Sequence, residues 1–285
     1  MKKFLRTLAK QALPPSMRQN LKRYARRAEA SRIDGELSEQ AYRDVLTKGL
    51  GLQRDDTVLV HASFGRLKAG FPPAAAVGII QDIVGANGNI LMPVYPGNGD
   101  EWLAADKVFD PLTSPISTGV LGAEFAKMSG VRVSIHPIKA MAAWGRNRDF
   151  LTTGHELSST PYDAHSPYAK LLTLRNAKAI GLGTSRLSCI HCGEDAVPGY
   201  VEKVYSAIAL PGRCLTSSGE IVTVNTRVHR SEVMRDTPGA DFLESRNSTA
   251  CRKLTVDGRS YYIADVAGVY EHMKEYAQRY AAESS

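Results

Sequence analysis

Residues 36–64 read ELSEQAYRDVLTKGLGLQRDDTVLVHASF, and they contain the first helix-to-strand alternation of the chain. Apolar positions recur at helical spacing over 37–50, Ser38 is suited to cap the helix start, and the glycines near position 50 are suited to end it. After the aspartate turn at 55–56, the run TVLVHAS is short, apolar and β-branched, which predicts a buried strand. The stretch therefore predicts a helix followed by a core strand, the repeating unit of an α/β fold.

The same alternation continues along the chain. Short apolar runs bounded by turn residues predict further strands at 89–96, 131–137 and 177–183. Helical spacing with a proline or glycine boundary predicts helices at 72–88, at 118–130 and at the end of 261–283. A hairpin with its turn at 217–219 is predicted over 212–228. Alternating elements followed by a β-rich segment predict a three-layer α/β/α fold with a central mixed sheet.

The composition is that of a globular protein. Of the 285 residues, 43% are hydrophobic and 23% are charged. No apolar run approaches the roughly 18 residues of a membrane-spanning helix. Four cysteines, at 189, 192, 214 and 251, are too few and too scattered for a disulfide framework. We therefore expect a reduced, cytoplasmic protein without a secretory signal peptide.

Positive charge is concentrated at the N-terminus. Residues 1–28 carry nine lysines and arginines and no acid, and removing these nine from the net charge of +7 leaves the other 257 residues at −2. This distribution argues against nucleic-acid binding by the fold. Its basic amphipathic pattern suits an anionic membrane surface or packing on the domain. We expect a helical tail over 1–35, with peripheral inner-membrane contact through 1–28, and one domain over 36–285.

The stretch SRLSCIHCGEDAV, residues 185–197, combines thiols, an imidazole and carboxylates. Cys189 and Cys192 form one C-x-x-C, but a structural zinc site needs a second ligand pair, and the other two cysteines are isolated. A redox pair needs a thioredoxin-like context, which a position after a late strand does not provide. We therefore predict no metal site and expect these cysteines to pack as small apolar side chains.

His191 follows a predicted strand and a glycine-containing loop, and it opens a helix. Ligands bind at the carboxyl ends of strands in α/β sheets, and imidazole titrates near neutral pH. His191 is therefore a candidate general base, and the alternative is a core histidine bonded to the backbone. His61 and His136 follow other strands, and His229 follows the hairpin, so each is a candidate for the same crevice.

Four segments share an order with a known family: VLVHASF, GNILMPVYP, FDPLTSPISTGVLGAEFAKMSGVRVSIHPIKAMAAWG and SPYAKLLTLRNAKAIGLGTSRLSCIHCGEDA. Together they resemble the aminoglycoside 3-N-acetyltransferase family over residues 37–280, most specifically over 109–145. The resemblance implies the antibiotic N-acetyltransferase fold. It also implies an acyltransferase that takes acetyl-CoA as acyl donor and a small-molecule amine as acceptor, without a metal.

The resemblance further implies a CoA channel at the strand ends. Free backbone N–H groups at a helix start suit the phosphates, which indicates Ser117, Thr118, Gly119 and Val120. Capping of that helix is an alternative use of the two hydroxyls. Strand-end groups suit the pantetheine amides, which indicates His61, Ala62 and Ser63. The same channel is expected to include Ser134, His136 and Ser166.

His191 occupies the histidine position of the family motif L-H-x-x-E, which reads I-H-C-G-E here. The resemblance implies that it is the general base for direct attack of the amine on the thioester. In aminoglycoside-modifying members, an acidic segment after the C-terminal hairpin orients this histidine, but here it reads VNTRVHRSE. We therefore expect Glu232 to be the orienting carboxylate and His229 to take part directly. Glu194 is expected to bond locally at the acceptor side.

The acceptor is predicted from charge. Arg227 and Arg230 would repel a polycationic aminoglycoside and would suit an anionic group on the acceptor. With Tyr95 also at the acceptor side, the sequence favours a nucleotide-linked amino sugar from bacterial surface-polysaccharide synthesis. The alternatives are an aminoglycoside 3-N-acetyltransferase that confers antibiotic resistance, and a non-catalytic CoA-binding scaffold that has lost its orienting carboxylate.

Overall fold

The computed structural model describes residues 33, 35–230 and 239–283. The basic segment 1–28 lies outside the described residues, so its helical and membrane-binding roles remain predictions. The strands of the described part are β1 (Thr57–Ala62), β2 (Asn89–Pro93), β3 (Val108–Phe109), β4 (Arg132–Val133), β5 (Met141–Gly145), β6 (Ala177–Leu182), β7 (Leu210–Leu215), β8 (Ile221–Thr226), β9 (Cys251–Val256) and β10 (Arg259–Asp265).

The α-helices of the same part are short apart from two. They are α1 (Glu39–Asp44), α2 (Pro73–Val84), α3 (Gly99–Ala104), α4 (Val120–Phe125), α5 (Arg148–Thr152), α6 (Pro167–Lys170), α7 (His191–Asp195), α8 (Pro198–Val204), α9 (Ala240–Ser245) and α10 (Val266–Glu283). Within the described ranges, none of these helices combines the length and the apolar character that crossing a membrane requires.

The central sheet has seven strands in the order β4-β5-β2-β1-β6-β10-β9. Its three middle strands, β2, β1 and β6, run parallel, with Leu59 opposite both Leu91 and Ala179. The flanking strands β5 and β10 pair antiparallel to this centre. The predicted mixed sheet is therefore confirmed, with the parallel strands buried in the middle, where α/β proteins place them.

Helices cover both faces of the sheet. Along β1, Val58 and Val60 point to the core that contains Ile80 of α2, whereas Leu59 points to the opposite core, which contains Met273 of α10. This alternation follows from the two-residue period of a strand. Because each face buries apolar side chains under helices, the three-layer prediction is confirmed.

One strand and one helix are shorter than the sequence predicts, and for the strand hydrogen bonds to a buried side chain explain the difference. The predicted strand over 131–137 shortens to Arg132–Val133. The chain turns after it because Nδ1 of buried His136 accepts hydrogen bonds from the backbone N–H groups of Ile138 and Lys139, at 3.3 and 3.1 Å. The predicted first helix ends at Asp44 and continues as a π-helical turn, Val45–Gly49.

The hairpin forms as predicted but lies outside the central sheet. Strands β7 and β8 pair antiparallel, and Gly219 in their turn has φ 84°, a left-handed conformation that favours glycine. The pair joins β3 in a separate three-stranded sheet. The segment after β8 then leads to His229, so the hairpin delivers this histidine to the site.

Candidate active site

A cleft of about 850 Å³ opens at the carboxyl ends of the parallel strands β1, β2 and β6. Residues 60–66 line it from the end of β1 and the turn after it, Met92 and Pro93 from β2, and residues 184–188 from the segment after β6. His191 and Tyr162 also line this cleft. Its position is the one that open α/β sheets use for ligands.

His61 fixes the turn that leads to His191. The backbone N–H of Ser188 donates to His61 Nε2 at 3.2 Å, across the ends of β1 and β6. Burial, with a smaller contribution from the charge of Arg186, lowers the pKa of His61 to about 3. The ring is therefore neutral near pH 7, and Nε2 keeps the lone pair that this hydrogen bond needs.

Glu194 lies between two buried imidazoles. Its Oε2 is 2.7 Å from Nδ1 of His191 and 3.4 Å from Nε2 of His229. Burial alone would raise the pKa of Glu194, but the attraction of the two histidines and the hydrogen bond to His191 outweigh it and lower the pKa to about 2. Burial lowers the pKa of His229 to about 4. An ionised carboxylate thus holds the Nδ1 proton of His191, which leaves Nε2 as the basic lone pair.

The structure places the Glu194 carboxylate against His191, a contact that the sequence did not single out as the orienting one. Glu232 lies outside the described residues, so its predicted role stays a prediction. Glu194 contacts His191 because positions three apart on a helix share a face and α7 places both side chains inward. The local hydrogen bond expected of Glu194 is present and is made to Nδ1 of His191, whereas its predicted place at the acceptor side is wrong, because Glu194 does not line the cleft. In the sequence, this contact could have been predicted from the glutamate of the I-H-C-G-E motif, which is Glu194.

The same three side chains are the described group that could hold a metal ion. The nitrogen and oxygen atoms of His191, Glu194 and His229 lie within 4.8 Å of one another. However, Glu194 Oε2 and His191 Nδ1 are at hydrogen-bonding distance, so a proton rather than a cation fits between them.

Most residues predicted for CoA line the cleft: His61, Ala62, Ser63, Ser117, Thr118, Gly119 and Val120. The hydroxyls of Ser117 and Thr118 donate to the carbonyls of Tyr95 and Pro93, at 3.1 and 2.5 Å, and so tie this loop to the end of β2. The capping alternative is wrong, because Gly119 is the N-cap of α4 and no side chain caps it.

Three residues predicted for the channel lie elsewhere. Ser134 accepts a hydrogen bond from Met141 N–H and bonds His155 Nδ1 at 2.8 Å, and Ser166 caps α6 through Ala169 N–H. His136 shapes the turn before β5. All three are fully buried and absent from the cleft lining. Their channel role is corrected to one of holding loops in place.

The two arginines predicted to face the acceptor are engaged in other contacts. The Arg227 guanidinium pairs with both carboxylate oxygens of Glu202 at 2.9 Å, and Arg230 Nε donates to the Tyr205 carbonyl at 2.9 Å. Neither arginine lines the cleft. Tyr95 does line it, with Lys139 Nζ 4.5 Å from its ring centroid.

Two tyrosines that the sequence did not indicate lie against the imidazoles. The ring centroid of Tyr162 is 4.9 Å from that of His191 and 5.5 Å from that of His229. Tyr205 stacks on His229, with centroids 4.1 Å apart and planes at 18°. Both tyrosines are distant from His191 in the chain and carry no motif, so only the folded structure identifies them.

The cysteines of the 185–197 stretch behave as expected. Cys189 and Cys192 are buried free thiols. Burial raises the pKa of Cys189 to about 12 and that of Cys192 well above its ordinary value. Both are therefore protonated near pH 7 and pack in the core beneath α10.

Gly193 is required for the approach of α7 to α10. A Cβ at this position would lie 2.6 Å from Met273 Cβ and 2.6 Å from the Tyr270 carbonyl oxygen. We expect Gly193→Ala to lower the free energy of unfolding by about 1–3 kcal/mol through overpacking, measured by urea denaturation. Gly78→Ala on α2 is the matched control, because its Cβ meets nothing within 4 Å and alanine favours the helix. Equal stability of the two variants would contradict this packing account.

Stability is expected to fall with acidification because of buried neutral histidines. Burial lowers the pKa of His61 and His136 to about 3, that of His229 to about 4, and that of His155 well below 6.5. Unfolded histidines bind protons near pH 6.5, so the unfolded state takes up more protons as the pH falls. Asp195 has the opposite effect below pH 7, because burial raises its pKa to about 7 and the folded state then binds this proton first. It is a single group, whereas four histidines lower the stability on acidification.

We therefore expect the free energy of unfolding to be highest near neutral pH and to decrease from about pH 6.5 towards about pH 4. Urea denaturation across this range measures the change. A free energy of unfolding that stayed constant, or rose, on acidification would show that these histidines are protonated in the folded protein.

Residues 59–278 match the family model of aminoglycoside 3-N-acetyltransferases. A curated relative, the SPbeta prophage-derived aminoglycoside N(3')-acetyltransferase-like protein YokD of Bacillus subtilis (strain 168), is 28% identical over 176 residues. That alignment covers 53% of this chain and 62% of the relative, less than two thirds of its length.

Two solved structures share the fold. Aminoglycoside acetyltransferase AAC(3)-Xa is 23% identical with a TM-score of 0.72, and the match covers 90% of this chain and 98% of that one. The binary complex of AAC-IIIb with CoASH is 20% identical with a TM-score of 0.68, covering 86% and 98%. The family match spans most of the chain and agrees with the acyltransferase class that the sequence predicted. The chain belongs to the aminoglycoside 3-N-acetyltransferase family.

Proposed function

We propose that the protein transfers an acetyl group from acetyl-CoA to an amino group of an aminoglycoside-type amino sugar, with His191 as general base. The observation that carries this proposal is the buried His191–Glu194 pair at the cleft, 2.7 Å between Nδ1 and Oε2. Such a pair fixes the tautomer of an imidazole and aims its Nε2 at an acidic N–H or O–H group.

In the proposed reaction, His191 Nε2 accepts a proton from the acceptor nitrogen while that nitrogen bonds to the thioester carbonyl carbon. The C–S bond then breaks, the electron pair leaves with the CoA sulfur, and the proton on His191 can return to the thiolate. The negative charge of Glu194 stabilises the imidazolium in between. No acyl-enzyme is required, because the nearby thiols of Cys189 and Cys192 are protonated and do not line the cleft.

The cleft suits CoA by charge and position. Three cationic side chains, Arg66, Lys139 and Arg186, are among its described lining residues. Guanidinium and ammonium groups are the usual partners of phosphates. Residues at the ends of β1 and β2 line the same wall. We place the donor along this wall with its acyl end at His191, in a protein that acts in the cytoplasm.

The acceptor class follows the family and the relatives, whose names indicate aminoglycosides. The names of the family and the relatives give no support to a role in polysaccharide synthesis. One observation favours a second candidate, an amino sugar that carries an anionic group such as a nucleotide: no carboxylate is present among the described residues that line the cleft. Polycationic acceptors generally need acidic partners.

A thiol-release assay separates these candidates. The purified protein is given acetyl-CoA with a kanamycin-type aminoglycoside, or with a nucleotide-linked amino sugar. Turnover with the aminoglycoside supports the proposal, and turnover with the nucleotide sugar alone selects the second candidate. CoA binding by calorimetry without release from any amine would favour the scaffold alternative.

A further inference from the structure

A second set of side chains adjoins the imidazoles but does not line the cleft. The hydroxyl of Tyr205 donates to Asp195 Oδ1 at 2.5 Å, and the Thr160 hydroxyl donates to the other oxygen of the same carboxylate. Asp195 follows Glu194 directly in α7. One short helix thus presents two adjacent carboxylates, one to the imidazoles and one to Tyr205.

Tyr205 connects this carboxylate to His229 in two ways. Its ring stacks on the imidazole, with centroids 4.1 Å apart. Its backbone forms an antiparallel bridge with His229, flanked by hydrogen bonds from Ser206 N–H to Val228 O and from Arg230 N–H to Val204 O, both 2.8 Å. Tyr205 therefore holds His229 in place through both its side chain and its backbone.

His229 needs such support, because its ring makes a long contact. Its Nε2 lies 3.4 Å from Glu194 Oε2, whereas His191 Nδ1 lies 2.7 Å from the same oxygen. Among the described residues, neither ring nitrogen of His229 has a hydrogen bond of normal geometry. The position of this buried imidazole is thus set by stacking and by the backbone.

We propose that Asp195 and Tyr205 are positioning residues for the transfer reaction, which rests on the proposed function of His191. Asp195 holds the Tyr205 hydroxyl, Tyr205 holds His229 against Glu194, and the orientation of Glu194 sets that of His191. The chain of contacts is continuous, and none of its members before His191 lines the cleft. The two residues therefore act on the rate of proton transfer and leave donor binding unaffected.

Tyr205→Phe tests this proposal, because it removes the hydroxyl and keeps the stacked ring. We expect kcat to fall about tenfold, as for other groups that orient an active side chain, with the KM for acetyl-CoA unchanged. In a Glu194→Gln background, Tyr205→Phe should lower kcat by about twofold or less, because the contact between Glu194 and His191 that it acts through is already lost. Asp195→Asn, which keeps the size of the side chain, should reproduce the loss.

Tyr42→Phe is the matched control. Tyr42 is a fully buried tyrosine in the core on the other face of the sheet, and its hydroxyl has no described partner. Its removal should leave kcat unchanged. Equal losses from Tyr205→Phe in the wild-type and Glu194→Gln backgrounds, or no loss in either, would overturn the proposal and leave Tyr205 a packing residue.

A readout that needs no acceptor keeps this inference separate from the proposed function. The Nδ1 proton of His191 is observed by NMR in the wild type, in Tyr205→Phe and in Tyr42→Phe. A shift in Tyr205→Phe alone supports positioning, even if the wild type releases no thiol from any amine. An identical resonance in all three proteins contradicts it.

Discussion

Replacing His191 with alanine is expected to lower kcat about 10²–10⁴-fold, the usual contribution of a positioned general base. The KM for acetyl-CoA should change little, because His191 is only one of the many residues that line the cleft proposed for the donor. The reason is chemical: the acceptor nitrogen must lose a proton to form the amide, and no other described imidazole with a carboxylate partner lines the cleft. Thiol release under saturating acetyl-CoA measures the effect.

His165→Ala is the control for this substitution. His165 is exposed in a loop and its ring is absent from the cleft lining, so the variant should retain wild-type kcat and KM. Turnover by His191→Ala at the wild-type rate would remove His191 from the mechanism. Reduced turnover in both variants would indicate a general loss of folded protein, which thermal unfolding of each variant detects.

Replacing Glu194 with glutamine is expected to lower kcat by about 10²–10⁴-fold, because the amide no longer fixes the Nδ1 proton of His191 and no longer stabilises the imidazolium. The carboxylate is 1% exposed and its pKa is lowered to about 2, so it is ionised throughout any practical assay range. Glutamine has the same shape, and donor binding should persist. Thiol release, with calorimetry of CoA binding, measures both quantities.

Glu202→Gln is the matched control for Glu194→Gln. Glu202 pairs with Arg227 at the surface, with 69% of its side chain exposed, and such exposed ion pairs contribute little to stability. Its loss should leave kcat within about twofold of the wild type. If Glu202→Gln and Glu194→Gln were equally active, Glu194 would not be the orienting carboxylate, and residue 232 would be the next candidate.

The elements that the sequence predicted best are those whose pattern reflects burial directly. The run 57–62 forms β1 because a parallel strand buried on both faces is continuously apolar. Strand β5 was missed because MAAWG has small side chains and no alternation, and β9 was missed because an exposed edge strand, CRKLTV, reads as polar. Their strand character comes from pairing with neighbours, which a single-sequence pattern does not contain.

Some site residues could likewise be predicted from the sequence, and others could not. His191 was predictable from its position after a strand and from its motif. Its contact with Glu194 was harder to predict, because Glu194 and Glu232 are both plausible by residue type and the sequence does not give distances. Arg227 was expected at the acceptor, yet Glu202, on α8, neutralises it. Long-range pairing of this kind depends on how the hairpin returns to the domain, which local patterns do not determine.

The central claim is that acetyl-CoA lies in the cleft with its acyl end at His191. A crystal structure of the protein with CoA tests it most directly. We predict that the thiol lies beside His191 Nε2 and Tyr162, with the pantetheine along residues 61–63 and the phosphates near Arg66, Lys139 or Arg186. CoA bound with its thiol away from His191, for example in the smaller cleft beside Arg259 and Lys253, would contradict the account.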